Sequence, residues 1–359
     1  MNHSAGPKSA LPFQRVLLTR MKFIGDVVLT THIIRSVRNA LPDAVIAYLG
    51  EKHAVSLLEH NPCLDEIIPF DFTRPTLIEQ PRVAFHIRRR RFDLAIDLFN
   101  NPRSALLVYL SGAKTRVGAE RKGRGSLYTI QVRDDGVPKT AIAFHNQFIR
   151  AVGIEPTSNK TEIVLTDDER REARIYLRWL DHENNPLDVS KPIVCIHPGA
   201  TWPAKRWLPK RFGELADFIA AKLGAQIIMI GGANDTVEIN TTLKDSVSNV
   251  KVLHDLPLRQ LAAIMSHCSL FIGNDAGPMH IAAALGVPTI GLFGPGEENI
   301  WFPYSAADGH VALRKDVPCH PCHLDFCNRD ADGYMECMKL LTVREVFDAA
   351  ERALRKKRS

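Results

Sequence analysis

The chain has 359 residues and a net charge of +6, and it is 45% hydrophobic against 24% charged. That balance excludes a disordered polymer and leaves room for two domains with separate cores. No apolar run reaches the roughly 18 residues of a bilayer span, and the polar start MNHSAGPKSALPFQ lacks the apolar core of a secretion signal, so a cytoplasmic location is expected.

In chain order, RVLLT (15–19), VIAYLG (45–50), EIIPF (66–70) and LAIDLF (94–99) read as strands. Helical stretches fall near 26–40, 52–60, 77–91 and 102–111 between them. Near-continuous apolar strands separated by helices predict a parallel sheet covered on both faces. After the first strand, RMKFIGDVV places Asp26 at a helix start. An aspartate there is either a helix cap or a functional carboxylate at a strand edge, and both readings stand. The run Arg88–Arg91 reads as a solvated helix end, as does the C-terminal RKKRS (355–359). Neither interleaves the aromatics of a nucleic-acid surface, so no nucleic-acid partner is expected. TRVGAERKGRG (115–125) reads as a basic loop carrying Arg116, Arg121, Lys122 and Arg124.

A charged helix over 166–180 follows, with Thr166 and Glu169 spaced as a capping box. The polar, proline-marked DHENNPLDVSKP (181–192) then reads as a linker. The expected domains are therefore 1–180, including the linker helix, and 181–359. The second half repeats the rhythm: IVCIH (193–197), AQIIMIGG (225–232), VKVLH (250–254), LFIGN (270–274) and TIGLFG (289–294) read as strands. Helices fall near 209–223, 235–246, 258–267 and 278–286. The expected fold is α/β, two Rossmann-like doubly wound domains facing across a cleft, with ligands at the carboxyl ends of the strands.

Those strand ends hold the chemistry. In HPGATWPAKRWLPKRF (197–212) Gly199 allows a close turn, Thr201 offers a hydroxyl, and Lys205 and Arg206 bring cations suited to anionic oxygens. Trp207 reads as a packing residue. Asp235 in IGGANDTVEIN follows a glycine-rich strand end, suited either to ribose hydroxyls or to helix capping, and Leu256 offers an apolar wall for a purine. In FIGNDAGPMH, Gly277 and Pro278 begin a helix whose first N–H groups suit a diphosphate. Asp275 stands beside them, able to accept from sugar hydroxyls, while His280 lies one turn on as a core or ligand residue.

Cys319, Cys322, Cys327 and Cys337 are spaced C-x2-C-x4-C-x9-C. Zinc is one reading. Reduced thiols in a loop-rich tail are the other, favoured here because the spacing is not a clean pair of CxxC knuckles. Cys63, Cys195 and Cys268 read as core residues.

The segments GDVVLTT, HPGATWPAKRWLP, GGANDTVE, FIGNDAGPMHIAAALGVPTIGLFGP and CHPCHLDFCNRDADGYMECMKLLTVREV occur in this order. Together they resemble the heptosyltransferases of lipopolysaccharide core assembly. The resemblance implies a GT-B enzyme that moves heptose from ADP-heptose to an inner-core sugar on a lipid A-linked acceptor, inverting the anomeric carbon without metal or cofactor. It makes Asp26 the base and sets Lys205, with Thr201 beside it, on the donor phosphates. Asp275 would then meet the donor sugar, Asp235 the ribose and Leu256 the adenine. Ala276 and Gly277 would lie at the phosphates, Ala276 standing where other members often carry threonine. A membrane-anchored acceptor further implies peripheral contact with the inner membrane, with the 115–125 loop on the acceptor side. Alternatives are a GT-B enzyme or an epimerase using another nucleotide sugar, or a non-catalytic binder. Asp26 together with Lys205 argues against the binder.

Overall fold

The computed structural model describes residues 11–121, 123–179 and 187–356. The start of the N-terminal tail, Lys122 of the basic loop, Leu180, the first half of the 181–192 linker and residues 357–359 of the C-terminal basic run lie outside the described residues. The chain forms two compact units, Met1–Val164 and Leu165–Ser359.

The first unit runs β1 (Arg15–Arg20), α1 (Ile24–Leu29), α2 (Thr31–Ala40), β2 (Val45–Glu51), α3 (Lys52–Val55), β3 (Glu66–Phe70), α4 (Thr76–Arg89), β4 (Leu94–Asp97), α5 (Pro102–Leu110), β5 (Thr115–Ala119), β6 (Ile130–Val132) and α6 (Ala141–Arg150). Among the described residues its strands form one six-stranded sheet in the order β3-β2-β1-β4-β5-β6, every pair parallel. The period of two along each strand divides the core. Val16, Leu18, Ile46, Tyr48 and Ile96 join one apolar cluster, while Leu17, Ala47, Leu49 and Ala95 join the other. Both faces are therefore covered.

The second unit holds α7 (Asp167–Arg178), β7 (Ile193–His197), α8 (Pro209–Leu223), β8 (Gln226–Gly231), α9 (Thr236–Leu243), β9 (Val250–His254), α10 (Leu258–Met265), β10 (Leu270–Asn274), α11 (Gly277–Ala284), β11 (Thr289–Leu292), α12 (Glu298–Trp301), β12 (Val311–Leu313), α13 (Glu336–Lys339) and α14 (Val343–Lys356). Its sheet order is β12-β11-β10-β7-β8-β9, again parallel throughout. Counted from the first strand of each unit, both sheets follow 3-2-1-4-5-6, the dinucleotide-binding order. Strand order reverses between β1 and β4 in one unit and between β7 and β10 in the other. Ligand sites in such sheets open at the carboxyl ends of those strands.

Three short strands escape the composition pattern: β5, β6 and β12. β5 occupies the first part of the supposed basic loop, and a Cβ on Gly118 would come within 2.2 Å of the Tyr128 ring. The glycine that reads as loop thus makes room for an aromatic in the core. Arg116 is correspondingly tied down, its Nε and Nη1 donating to the carbonyls of Leu127 at 2.8 Å and Ala113 at 2.7 Å. Trp207 is fully buried, packing edge-on against Phe212 with centroids 4.9 Å apart.

The charged helix α7 packs on α10 within the second unit. Its capping box is formed, Thr166 accepting from the Glu169 N–H. Glu169 also takes a two-point contact from Arg259, with Nε and Nη2 each at 2.6 Å. The Arg259 guanidinium holds the Glu169 carboxyl down to about 2. A depressed carboxyl stabilises the fold above the ordinary glutamate range and loses that contribution as pH falls toward 2. Glu169→Gln should therefore lower the unfolding midpoint at neutral pH. It should also flatten the loss of stability between about pH 5 and 3, which denaturant titrations at several pH values would measure.

Candidate active site

At the β1/β4 edge, Asp26 occupies the third position of α1. Its Oδ2 accepts from the Phe23 N–H at 3.1 Å, satisfying one of the amides that a helix start leaves open. Its Oδ1 is ion-paired with Arg20, the last residue of β1. The capping reading is therefore correct in part, and the same carboxylate carries a second contact. Arg20 is itself held from β4: Nη1 donates to the Leu98 carbonyl at 2.8 Å, and the guanidinium lies 4.8 Å from the Phe99 ring centroid.

That β4 loop is organised by Asp97, which is fully buried. Its Oδ1 accepts from the N–H groups of Phe99 at 3.0 Å and Asn100 at 2.9 Å. Its Oδ2 accepts from Ser104 Oγ at 2.7 Å and Tyr128 OH at 2.6 Å. Burial pushes the Asp97 carboxyl above its ordinary range, against the pull of these four donors. The chain of support runs from Asp97 through the Leu98–Phe99 loop and Arg20 to Asp26.

The β7/β10 edge of the second unit gathers most of the other expected residues. Lys205 lies on a short turn after β7, with Nζ 2.6 Å from Asp275 Oδ2 and 4.5 Å from the Trp202 ring centroid. Asp275 follows β10 directly, and its side chain is only 6% exposed against 19% for Lys205. Ala276, in extended conformation, is the residue before α11, and Gly277 and Pro278 form the helix's first positions. A cation, a carboxylate and the positive end of a helix therefore meet at one strand edge. Such a group can hold an anionic ligand bearing hydroxyls.

Neighbouring strand ends complete this edge. Asp235, after β8, accepts from the Gly232 N–H at 2.9 Å and lies 3.3 Å from His197 Nε2. Burial alone would raise the Asp235 carboxyl, but His197 and the Gly232 N–H hold it below its usual range. Gly199 is required here, because a Cβ would lie 1.9 Å from Asp235 Oδ1. Arg206 is not a free cation for a ligand: it is ion-paired with Glu238 and donates from Nε to the Ala200 carbonyl at 2.9 Å. Thr201 is exposed in the β7 loop, and Leu256 is half-buried in the loop after β9. His280 is buried, with Nδ1 2.7 Å from Tyr304 OH, which makes it part of the packing beneath α11.

Two structural roles went unread in the sequence. Asn274 is fully buried and joins the β7 loop to β10. Its Oδ1 accepts from the Trp207 N–H at 2.9 Å, and its Nδ2 donates to the carbonyls of Pro198 at 2.8 Å and Gly199 at 3.2 Å. The available signal was a polar residue closing an apolar strand one position before the acid. The bracing supplied by the cysteine-rich segment, read above only for its thiols, is the other. The Asp325 carbonyl accepts from the Ala204 N–H at 2.9 Å, beside Lys205, and the Pro295 carbonyl accepts from the Cys322 N–H at 3.2 Å. His320 Nε2 lies 2.9 Å from the Gly296 carbonyl. This segment braces both the lysine turn and the glycine loop after β11.

All seven cysteines are free thiols. Cys327 Sγ accepts from the Met335 N–H at 3.2 Å and Cys319 Sγ from Arg329 Nη1 at 3.6 Å, while burial pushes the Cys337 thiol up to about 11. Among the described residues, no group of three or more His, Cys, Asp or Glu side chains is placed to hold a metal ion.

Two doubly wound parallel sheets, each with charged side chains at its reversal point, are the components of the GT-B glycosyltransferase architecture. The family model of glycosyltransferase family 9 (heptosyltransferase) matches residues 82–329, and the chain belongs to that family. It is 26% identical to lipopolysaccharide heptosyltransferase 3 of Escherichia coli over 79% of this chain and 85% of that one. It is 26% identical to lipopolysaccharide heptosyltransferase 2 of Salmonella typhimurium over 81% and 86%. Among solved structures, the family 9 glycosyltransferase of Veillonella parvula superposes with a TM-score of 0.83 at 25% identity, covering 96% of this chain and 98% of that one. The E. coli ADP-heptose lipopolysaccharide heptosyltransferase II gives 0.78 at 22% identity, covering 96% and 100%. No helix among the described residues is long and apolar enough to cross a membrane.

Removing the Asn274 side chain leaves the buried Trp207 N–H without its acceptor. An unmade buried hydrogen bond costs about 1–3 kcal/mol. Asn274→Ala should lower the unfolding free energy by that amount in denaturant titration, and an unchanged midpoint would remove Asn274 from its anchoring role.

Proposed function

We propose that this glycosyltransferase moves heptose from ADP-heptose to the inner core of a lipid A-linked lipopolysaccharide acceptor, with inversion at the anomeric carbon and no metal or cofactor. Its place of work would be the cytoplasmic face of the inner membrane, as a peripheral protein. The observation that carries the donor half is the Lys205–Asp275 pair beside the first turn of α11. A diphosphate laid on that turn would meet the backbone of Ala276 and Gly277, with Lys205 as its cation and the Thr201 hydroxyl alongside. Asp275 would accept from heptose hydroxyls, Asp235 from the ribose, and Leu256 would pack against the adenine. The names of the relatives support this donor and acceptor class.

The reaction is a single displacement. The acceptor oxygen forms the new bond to the anomeric carbon as the bond to the diphosphate oxygen breaks on the opposite face. The acceptor proton passes to Asp26, whose orientation Arg20 and the Phe23 N–H fix. Negative charge gathers on the departing ADP, where Lys205 counters it.

Lys205→Ala should reduce donor use by about ten- to over a hundredfold, since a charge-assisted contact is worth roughly 1.5–3 kcal/mol. Steady-state kinetics within twofold of the parent would refute the phosphate assignment. Asp26→Asn keeps an oxygen for the Phe23 N–H but loses basicity and the ion pair with Arg20. Its kcat should fall by at least about 10² while ADP-heptose affinity, read by calorimetry, stays near the parent value. A folded and fully active variant would exclude Asp26 as the base. Prolonged chelation should leave turnover intact; a loss that only a divalent ion restores would overturn the metal-independent mechanism.

A further inference from the structure

The outer faces of α4 and α5 carry apolar side chains that the fold leaves uncovered. On α4, Leu77, Ile78 and Phe85 are 90%, 61% and 65% exposed; on α5, Leu106, Tyr109 and Leu110 are 37%, 48% and 38% exposed. Ile78 and Phe85 lie two turns apart and project to nearly the same side, while 106, 109 and 110 share one face of α5. The two helices pack together. Between their C-terminal ends lies an open groove of about 700 Å³, lined by Phe85, Tyr109 and Leu110 together with Arg88 and Arg116.

The charge around this apolar face is of one sign. Arg88, Arg89, Arg91 and Lys114 are exposed, and among the described residues none of them is ion-paired with a carboxylate. The nearby acids are already taken, Glu66 by His86 and Arg90, and Glu79 by Arg74 and Arg82. Arg89 lies 5.4 Å from the Phe85 ring centroid and Arg116 lies 5.5 Å from that of Tyr109, so cation and aromatic are presented together. A merely solvated helix end, the reading the arginine run invites by itself, gives no reason for Ile78, Phe85, Leu106, Tyr109 and Leu110 to stand exposed beside it.

We infer that the α4–α5 face docks on an anionic phospholipid bilayer. Aliphatic and aromatic side chains enter among the head groups while the arginines reach lipid phosphates, the arrangement of an interfacial amphipathic surface. A second copy of the chain fits poorly, because a two-fold contact would set this arginine cluster against itself. A nucleic acid would use the aromatics for stacking but has no use for Leu77, Ile78, Leu106 and Leu110. The inference deepens the proposed lipid-linked acceptor by naming the surface that meets the membrane. It is tested without donor or acceptor, so failure of the transfer reaction would not touch it.

The experiment is sedimentation of the full chain with vesicles of equimolar phosphatidylglycerol and phosphatidylcholine, against vesicles of phosphatidylcholine alone. The parent should partition to the anionic vesicles and be released by salt. Arg88→Gln and Arg89→Gln should each weaken partitioning by about fivefold. Ile78→Ser/Phe85→Ser should weaken binding in a manner that low salt does not restore. Circular dichroism would verify that each variant is folded. Folded variants that bind like the parent, or equal binding to both vesicle types, would overturn the inference. So would self-association by light scattering that Ile78→Ser/Phe85→Ser abolishes, since a second copy would then cover the face.

Discussion

The second unit's site depends on one buried side chain. Asn274 spans the gap between β10 and the loop leaving β7, accepting one N–H and donating to two carbonyls. Parallel strands whose order reverses leave this gap by construction, since no connection crosses it. The backbone groups lining it must find partners or be lost to water. An amide side chain, with both donor and acceptor, can serve both sides at once. With the loop anchored, Lys205 comes within ion-pair distance of Asp275, the residue after Asn274 in the chain. The pair is mostly buried, which is tolerable only because each charge has the other.

The first unit meets the same constraint with a different residue. Asp97 closes β4, the strand equivalent to β10, and its four hydrogen bonds shape the loop that receives Arg20. In both units, then, a buried polar side chain at the end of the fourth strand organises the loops at the reversal point. Neither group is itself exposed. Each positions a charged residue at the strand edge: Arg20 and through it Asp26 in one case, Lys205 in the other.

The cysteine-rich segment extends this support beyond the sheet. Its backbone holds Ala204 and Pro295, and its His320 meets the Gly296 carbonyl. A side chain at position 296 would approach Asp275 Oδ2 to 3.0 Å, so the glycine keeps that loop close to the charged pair. The segment's contribution to the site therefore lies in its contacts, backbone and His320 side chain together, with two loops.

Much was legible in the sequence because short-range physics decides it. Apolar runs of five to eight residues bounded by glycine and polar clusters located nine strands, and the alternation with helices required parallel sheets. Thr166 and Glu169 announced a capping box that forms. Gly277 and Pro278 marked the start of α11, and the cation and acid of the second unit stood at strand ends where a doubly wound sheet exposes them. Other features required the folded chain. β5 reads as a basic loop until Tyr128 is seen filling the space above Gly118. Arg206 reads as a ligand cation until Glu238 takes it. Arg20 lies just past the predicted first strand, and Asp97 and Asn274 lie within predicted strands, so none of the three stands out before its partners are seen. Arg206 meets Glu238, Arg20 meets Leu98, Asp97 meets Tyr128 and Asn274 meets Trp207 across 31 or more positions, and neither periodicity nor composition encodes which distant groups will meet. Local propensity and pattern determined the elements and their edges; the pairing of buried polar groups across those edges was decided only when the sheets closed.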